Sequence, residues 1–495
     1  MENSNQQNSG PLSPAKQSFF DRLANSVLFK LSIMLILVLF LLIPMSWIND
    51  LISERNQRER IVSQEISSKW GEAQVVSGPI IGIPYNYQYT ANVTDDKGKT
   101  RLETFNERKY VFLAAKQMQI NSQVEPEYLK RGIYQRVVYN SQVQVKGDFE
   151  ELDLSKLDVK LADLQWEHAK LFIGLSDLKG LTGTPKLNWA GKEQTFQIQQ
   201  EGVTLFERTL SSDIDLSARS TKGHFEVALG LRGSGSLTVF PTAEESKIEI
   251  KGNWGRPSFN GGFLPAERTV TDKDFVASWS VPGFNRKFSQ QWVGGDKLMY
   301  SVSDPESNVH YYTAPYEEAV SAATDAVGQG MQLSTEQDMV QVNFLETVNN
   351  YQKTTRVAKY GILVILLTFT SLFFTEILKK KRIHFIQYIL IGCAMVLFYS
   401  LLLAIGEHLG FNWSYLIASI ATTGLIASFI YSITQDRKIC IVFSGILFLF
   451  YAFVYFLLQL QDFSLIVGSI GLFIILAVLM RLSTRINWDQ FERNS

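Results

Sequence analysis

Six long apolar stretches decide what this chain can fold into. They run over about 31–48, 357–378, 385–405, 413–433, 439–458 and 463–480. A helix needs roughly 20 apolar residues to cross a hydrocarbon core about 30 Å thick, and each stretch reaches or approaches that length. The sequence therefore predicts six transmembrane helices, one near the N-terminus and five close together in the C-terminal part.

The first stretch follows three basic residues, Lys16, Arg22 and Lys30, as the apolar region of a signal peptide would. At 18 residues it is longer than the roughly 7–15 residues of a cleaved signal, and no convincing small-residue cleavage site follows it. We therefore predict an uncleaved signal anchor over 27–48.

Lys and Arg in the short loops predict the orientation of these helices. Basic residues follow the second, fourth and sixth stretches, at 379–382, 437–438 and 481–485. The alternate loops, 406–412 and 459–462, contain none. Because basic loops stay in the cytoplasm, both termini are expected there, and the whole block between the first two helices is expected to be exported.

The charge distribution separates the same two parts. Residues 356–495 hold 11 Lys and Arg against 6 Asp and Glu, whereas residues 31–355 have an acidic excess. An acidic centre excludes a basic nucleic-acid-binding protein, and 12% aromatic residues exclude a wholly disordered chain. Both cysteines, Cys393 and Cys440, fall within predicted helices, so the exported block must be stabilised by core burial rather than by disulfides.

The exported block alternates apolar and polar residues in short runs separated by turns, such as that at 96–98. This period-two pattern predicts antiparallel sheets packed as a sandwich or open barrel. A helix is expected at 315–327, and helical stalks are expected at 49–70 and 346–361. The fold class is thus an α+β membrane protein, with six transmembrane helices and a large, mainly antiparallel β domain between the first and second helices.

The predicted organisation follows from these assignments. In chain order it comprises a disordered cytoplasmic tail at 1–26, the signal anchor at 27–48, a periplasmic β-rich domain with helical stalks at 49–355, a five-helix transmembrane bundle at 356–480, and a cytoplasmic tail at 481–495.

Residue types that usually carry catalysis are scattered. The histidines stand singly: His168, His224, His310, His384 and His408. No zinc-peptidase pair, phosphate-binding loop or nucleophile elbow is found. Glu407, next to the last histidine, is expected to be solvated at the membrane interface. We therefore predict no catalytic, cofactor-binding or metal-binding residue, no cofactor, and a protein that is not an enzyme.

Polar groups near the membrane are few. Lys359 is expected to reach water from the outer end of its helix, and Glu376 is expected to pair with Lys380 one turn later. Small residues in the fourth stretch and at Gly468 and Gly471 are expected to let helices pack closely. Tryptophans of the exported block are expected to anchor its core: Trp166, Trp254, Trp279 and Trp292.

Several strings together resemble the CreD family of bacterial inner-membrane proteins over roughly 20–480. They are WGEAQVVSGPIIGIPY at 70–85, RGIYQRVVY at 131–139, GDF at 147–149, GSGSLTVFP at 233–241, NWGRPSFNGGFLP at 253–265, DFVASW at 274–279, VNNYQKTTRVAKYG at 348–361, and HFIQYILIG through EHLGFNWSYLIAS. The resemblance implies a role in envelope integrity, colicin tolerance and responses to wall-active antibiotics, usually under a two-component regulator. It supplies no enzymatic activity, ligand or catalytic residue.

The motif residues that stand out are expected to set turns and fill a β core. They are Gly78, Pro79, Tyr134, Trp254, Pro257 and Phe259.

The function expected is that of a non-enzymatic inner-membrane protein of cell-envelope integrity and stress response. The alternative is a transporter or lipid-handling protein with a periplasmic gating domain, and a membrane-bound enzyme with an unrecognised site is a third. The expected partners are the lipid bilayer and an unidentified periplasmic or envelope protein, not nucleic acid. The sequence leaves the oligomeric state open. The expected location is the bacterial inner membrane, multi-pass, with both termini cytoplasmic.

Overall fold

The computed structural model describes residues 27–94, 100–199, 203–294, 299, 338–344, 350–379, 383–460 and 463–484. The chain divides into two compact units. A helical unit takes in Met1–Arg58 and Val348–Ser495, and a β unit takes in Glu59–Thr347. The predicted tail at 1–26, turn at 96–98 and helix at 315–327 lie outside the described residues.

Apolar sequence with few helix breakers forms most of the helices of the described chain. They are α1 Val27–Trp70, α2 Asn350–Lys359, α3 Gly361–Lys379, α4 Phe385–Leu409, α5 Phe411–Thr434, α6 Arg437–Gln459 and α7 Ser464–Ser483. The first, 44 residues long, contains both the predicted signal anchor and the predicted stalk as one continuous helix.

Four of the described helices are long and apolar enough to cross a membrane: α1, α4, α5 and α6. The second apolar stretch is divided between α2 and α3, which are bent by 40° and together make a fifth candidate span. The bend lies at Tyr360, whose N–H bonds to the carbonyl of Val357 in a tightened turn. The apolar part of α7, Leu465–Arg481, is shorter than the others. The described helices thus provide four candidate spans, or five with the bent pair, where the sequence predicted six.

The outward surface of the helical unit is apolar, as a lipid-facing surface must be. Leu465 is 83% exposed, and Ile441 and Phe473 are more than two-thirds exposed. The small residues of α5 are divided between two faces, because Ala418 and Thr422 are buried whereas Gly424 has no atom near its missing Cβ. The predicted close packing is therefore found for only part of that set.

Alternating apolar and polar residues form the strands. They are β1 Gln74–Thr94, β2 Thr100–Ala114, β3 Gln117–Arg131, β4 Tyr134–Phe149, β5 Lys170–Leu175, β6 Lys186–Trp189, β7 Lys192–Thr195, β8 Gln197–Ile198, β9 Arg208–Asp213, β10 Gly223–Ser234, β11 Ser236–Phe240, β12 Glu245–Gly252, β13 Ser258–Gly261, β14 Glu267–Val270, β15 Phe275–Pro282, β16 Gln291–Gly294 and β17 Val340–Asn343.

Two sheets of the β unit pack face to face. The first has the order β13-β17-β11-β1-β5-β9-β8, with β2 also joined to β1 and β16 to β2; the second has the order β14-β15-β12-β3-β4-β10-β6-β7. Most pairs are antiparallel, but β1 with β11 and β3 with β12 are parallel. Ile81 and Val111 of the first sheet share one core with Ile120 and Val145 of the second. Of the two predicted arrangements, sandwich or open barrel, the structure shows the sandwich.

A second apolar cluster covers the opposite face of the first sheet. It includes Ile80, Phe112, Phe172 and Phe240. Because both faces are covered, β1 is buried at every position from its start to Tyr85. This explains why its first half reads as an apolar run rather than as an alternation.

Candidate functional site

The β unit receives the chain from α1 and releases it after β17 at neighbouring positions. Gln74, which begins β1, pairs in parallel with Leu237 of β11. On the other side of β11, Ser236 pairs with Asn343, the last residue of β17. The entry and exit strands are thus separated by one strand, and we call this region the base of the β unit.

The end of α1 is fixed to the base by several different contacts. The indole N–H of Trp70 donates to the carbonyl oxygen of Tyr139 at 3.5 Å, and the Arg232 guanidinium lies 4.9 Å from the Trp70 ring centre. Lys179 donates to the carbonyl of Ser68 at 3.2 Å. That contact satisfies a carbonyl that the helix end leaves unpaired.

The last turns of α1 also pack on the second sheet. Val62 and Ile66 form a small apolar cluster with Val138 of β4. Glu65 forms an ion pair with Arg131 at the end of β3. The last turns of α1 thus place apolar side chains against the second sheet and a charged side chain at its edge.

Tyr139 connects the entry of the chain with its exit. Its hydroxyl donates to the carbonyl of Ser236 at 2.7 Å, and its ring lies 5.3 Å from that of Phe344, the residue that follows β17. Burial raises the pKa of the Tyr139 hydroxyl, so this group remains a protonated donor at all physiological pH values. The backbone N–H of Phe344 donates to the carbonyl oxygen of Gly235 at 2.8 Å. The base therefore holds both ends of the unit through one buried tyrosine.

Two charged contacts join described residues of the helical unit that are far apart in the chain. In the first, the Lys30 ammonium of α1 lies 2.7 Å from Oε1 of Glu376 in α3, and the hydroxyl of Tyr388 in α4 donates to Oε2 at 3.2 Å. Glu376 is 7% exposed. A carboxylate so deeply buried requires partners of this kind.

In the second contact, Nε of Arg55 in α1 lies 3.7 Å from Oε1 of Glu407 near the end of α4. The hydroxyl of Tyr351 in α2 donates to the same oxygen at 3.3 Å. The Glu407 side chain is only 14% exposed. The expectation that it is solvated is therefore wrong, because three helices enclose it.

The two contacts are separated by a distance that matches a bilayer. Lys30 and Arg55 lie on one continuous helix, and at 1.5 Å per residue they are roughly 37 Å apart. The hydrocarbon core is about 30 Å thick. The contacts thus mark both ends of an apolar segment and fix α1 against α3 at one end and α4 at the other.

The four described histidines do not come together. His168, His384 and His408 are exposed, and the ring of exposed His224 lies 3.0 Å from the carboxylate of Asp148. His310 lies outside the described residues. No group of three or more His, Cys, Asp or Glu that could hold a metal occurs among the residues that the structure describes.

One small cavity lies in the β unit, lined in part by Phe240, Val281, Arg286 and Asp338. Its volume is about 10 Å³, close to the minimum for a single water molecule. The Arg286 guanidinium beside it donates to the carbonyl of Thr242 at 2.8 Å and to Gln290 at 2.8 Å. This cavity has no room for a substrate.

The tryptophans occupy the places expected of core anchors. Trp166 and Trp279 are buried in the shared core, Trp254 packs against it, and Trp292 packs against the second cluster. Of the other motif residues, Phe259 packs against the shared core and Tyr134 against the cluster at the end of α1.

Gly78 and Pro79 lie within β1 and not at a turn as expected, at the point where the pairing of β1 with β5 is irregular. Gly78 has φ +90°, a conformation that favours glycine, and a Cβ there would lie 2.9 Å from the Phe172 carbonyl oxygen. The next residue, Pro79, follows a cis peptide bond, and Pro257 is half-buried.

Glu376 shows what a single sequence cannot provide. Its predicted partner, Lys380, lies outside the described residues, and the partner that the structure shows is Lys30, 346 positions away. Arg55 and Tyr351 were missed for the same reason. In the sequence, a basic residue near each end of the first apolar helix indicates anchoring at the membrane interface. That pattern does not identify the residue with which each one pairs.

Known proteins resemble the chain along nearly its whole length. The family described as "Inner membrane protein CreD" matches residues 26–489. The protein of that name from Escherichia coli strain K12 is 29% identical over 458 residues, which cover 92% of each chain.

Proposed function

The chain belongs to the CreD family of inner membrane proteins, and on that premise we propose that it is a non-enzymatic protein of cell-envelope integrity and stress response. The observation that carries this proposal is the base of the β unit. There, both ends of the unit are fixed by Trp70, Tyr139 and Phe344. Such an arrangement suits a domain whose two chain ends are held together at one place and which works through its surface.

The non-enzymatic part of the proposal is supported by the way in which ionisable side chains are used. Glu376 and Glu407 connect helices, and Lys116 of the β unit lies 3.0 Å from Glu244. Each of these charged side chains is thus paired with another side chain of the protein. A domain that works by binding an envelope protein does not require any of them as a catalytic group.

A transporter or lipid-handling protein is the second candidate, because one observation favours it. Ionisable residues in membrane helices frequently mark ion or substrate paths, and Glu376 is buried between α1, α3 and α4. Its hydrogen bonds to Lys30 and Tyr388 are equally suited to fixing helices. We therefore rank this candidate below the first.

Rescue of an envelope-stress phenotype in a deletion strain separates the two functions. We expect rescue by variants at the histidines, at Glu407 and at the exported Asp and Glu residues to follow membrane abundance. Glu407→Gln and Glu376→Gln are the sharpest changes, because each keeps the shape and removes the charge. A Glu376→Gln protein with normal abundance and no rescue would favour transport. A normally abundant and folded β-unit variant at a single histidine or carboxylate that loses rescue would show that this side chain belongs to a chemical or binding site, against the expectation that rescue follows abundance.

The orientation belongs to the same proposal. We place both termini in the cytoplasm and the β unit in the periplasm, with α7 as the sixth span. The basic residues support this arrangement, since 437–438 form the start of α6 while 406–412 contain no Lys or Arg. The two charged contacts support it too, because their separation fits one passage of α1 through a bilayer.

Reporter fusions test the orientation at each loop. Fusions after residue 382, after 438 and at the C-terminus should report cytoplasm, and insertions at 95–99 or 406–412 should report periplasm. If α7 does not cross, the C-terminal fusion alone will change sides. A cytoplasmic signal from 95–99 would contradict the entire arrangement.

A further inference from the structure

The hairpin formed by β1 and β2 has two different halves. Its strands pair without interruption from Ile80 with Ala114 to Thr94 with Thr100. β1 is buried up to Tyr85 and β2 is buried from Tyr110 onward, whereas most outer residues of both strands are exposed. The outer half therefore extends beyond the packed sandwich as a two-stranded ribbon.

One face of this outer half is aromatic. The rings of Tyr87 and Tyr89 stack at 6.0 Å, and Tyr89 stacks on Phe105 of the other strand at 5.5 Å. These three side chains are 36–40% exposed. The Lys109 ammonium lies 4.0 Å from the Tyr87 ring centre. The alternating residues between them, such as Asn86 and Gln88, are polar and point to the opposite face.

The side of β2 that faces away from β1 pairs with β16 over the inner half of the hairpin only. β16 pairs with β2 from Leu113 to Tyr110, and the N–H of Ala114 bonds to the carbonyl of Gln290 on that side. Because backbone groups alternate along an antiparallel strand, even-numbered residues of β2 direct their N–H and C=O toward this edge. In the part of β2 that does not pair with β16, these even-numbered residues are Thr100, Leu102, Thr104, Asn106 and Arg108.

No strand pairs with this part of the β2 edge among the residues that the structure describes. A two-stranded ribbon is marginally stable in water unless more strands or a packed face support it. Exposed edges and apolar patches are also the usual places of association. Within the described part of the chain, the outer half of the hairpin thus presents an unpaired edge and an exposed aromatic face to a partner.

The charges of β2 complement those of a second copy of the same strand. The five outward-directed positions are centred on Thr104. In an antiparallel pairing centred there, Arg101 of each copy lies opposite Glu107 of the other, which gives two pairs of opposite charge. A pairing centred one residue later would place Glu103 opposite Glu107 and Arg101 opposite Lys109. Like charges exclude that register.

We propose that two copies of the chain associate through the outer halves of their hairpins, β2 edge to β2 edge, about a two-fold axis at Thr104. The product is a four-stranded sheet in the order β1-β2-β2-β1. It pairs the free backbone groups of both copies and joins their aromatic faces. A two-fold contact of this kind is self-complementary and closes at a dimer.

A single cysteine tests this geometry in the membrane. In a full-length chain with Cys393→Ala and Cys440→Ala, Thr104→Cys should form a disulfide-linked dimer on mild oxidation. A hydrogen-bonded pair on the axis has Cα atoms about 5.5 Å apart, within disulfide range. Thr90→Cys is the matched control, because Thr90 pairs directly with Thr104 inside the hairpin. Its two copies would be about 14 Å apart, three strand spacings, and should not crosslink.

Two further sets of variants distinguish specific strand pairing from chance collision of two chains. For each variant, the mass of the particle in detergent shows whether it is a monomer or a dimer. Thr104→Pro removes an outward N–H without removing a bond to β1, so it should yield monomers, whereas Thr104→Ala should remain dimeric. Arg101→Glu and Glu107→Arg should each weaken dimerisation about tenfold, and the double variant should restore it. Equal crosslinking at Thr90 and Thr104, a dimer that survives Thr104→Pro, or crosslinking of Thr104→Cys only to another protein would overturn the proposal.

Discussion

Gly180→Ala is expected to destabilise the β unit by about 3 kcal/mol, the upper part of the range for overpacking a filled core. A Cβ at Gly180 would lie 2.3 Å from the backbone oxygen of Arg232 and 2.5 Å from Nε2 of Gln74. The oxygen belongs to β10 and cannot move without shifting that strand, and Gln74 is fully buried. The added methyl group must therefore push apart the base of the β unit.

Gly183→Ala is the matched control three residues later. No heavy atom lies within 4 Å of a Cβ built at Gly183, so its change in unfolding free energy should stay within about 0.5 kcal/mol. Thermal unfolding of the full chain in detergent, followed by β-sheet circular dichroism, measures both. Equal stability of the two variants would show that the base is not tightly packed.

The same pair of variants bears on the proposed function. If the base must hold α1 and the exit strand in fixed positions, Gly180→Ala should lose envelope-stress rescue in proportion to its loss of folded protein. Gly183→Ala should rescue fully. A destabilised Gly180→Ala protein that still rescues fully would separate the base from function.

Local pattern predicted the helices and most of the strands, because hydropathy over 20 residues and alternation over five or six are properties of neighbours in sequence. The division of the second apolar stretch at Tyr360 was missed. Its residues are as apolar as those of an unbroken helix, and the bend depends on tertiary contacts. At Gly361 an added Cβ would meet Met45 of α1 and the hydroxyl of Tyr399 in α4.

Contacts between distant parts of the chain were outside the reach of one sequence. The i,i+4 rule offered Lys380 as a partner for Glu376, and the structure instead shows Lys30. Glu407 was expected to face water because a short polar loop contains it, whereas Arg55 and Tyr351 enclose it. Likewise, alternation predicts strands but not their order, so the parallel pairing of β1 with β11 could not be derived.

Removal of one partner from the buried pair near the start of α1 should also have a large effect. Among the residues that the structure describes, Lys30→Met leaves the buried Glu376 carboxylate with the Tyr388 hydroxyl as its remaining hydrogen-bond partner. Breaking a fully buried pair costs about 3–5 kcal/mol. Because the Lys30 side chain is 38% exposed, water can replace part of its effect, and we expect about 2 kcal/mol, below that range.

The double variant Lys30→Met with Glu376→Gln should recover at least half of that loss, because it leaves no unpaired charge in the bundle. Lys359→Met is the control, since Lys359 is exposed at the end of α2 and its loss should change stability by less than about 0.5 kcal/mol. Reversible unfolding in mixed detergent micelles gives the free energies of the unchanged chain, the two single variants Lys30→Met and Glu376→Gln, the double variant and the Lys359→Met control. If the two substitutions are simply additive, the contact does not stabilise the bundle, and the register of α1 against α3 must be fixed by apolar packing instead.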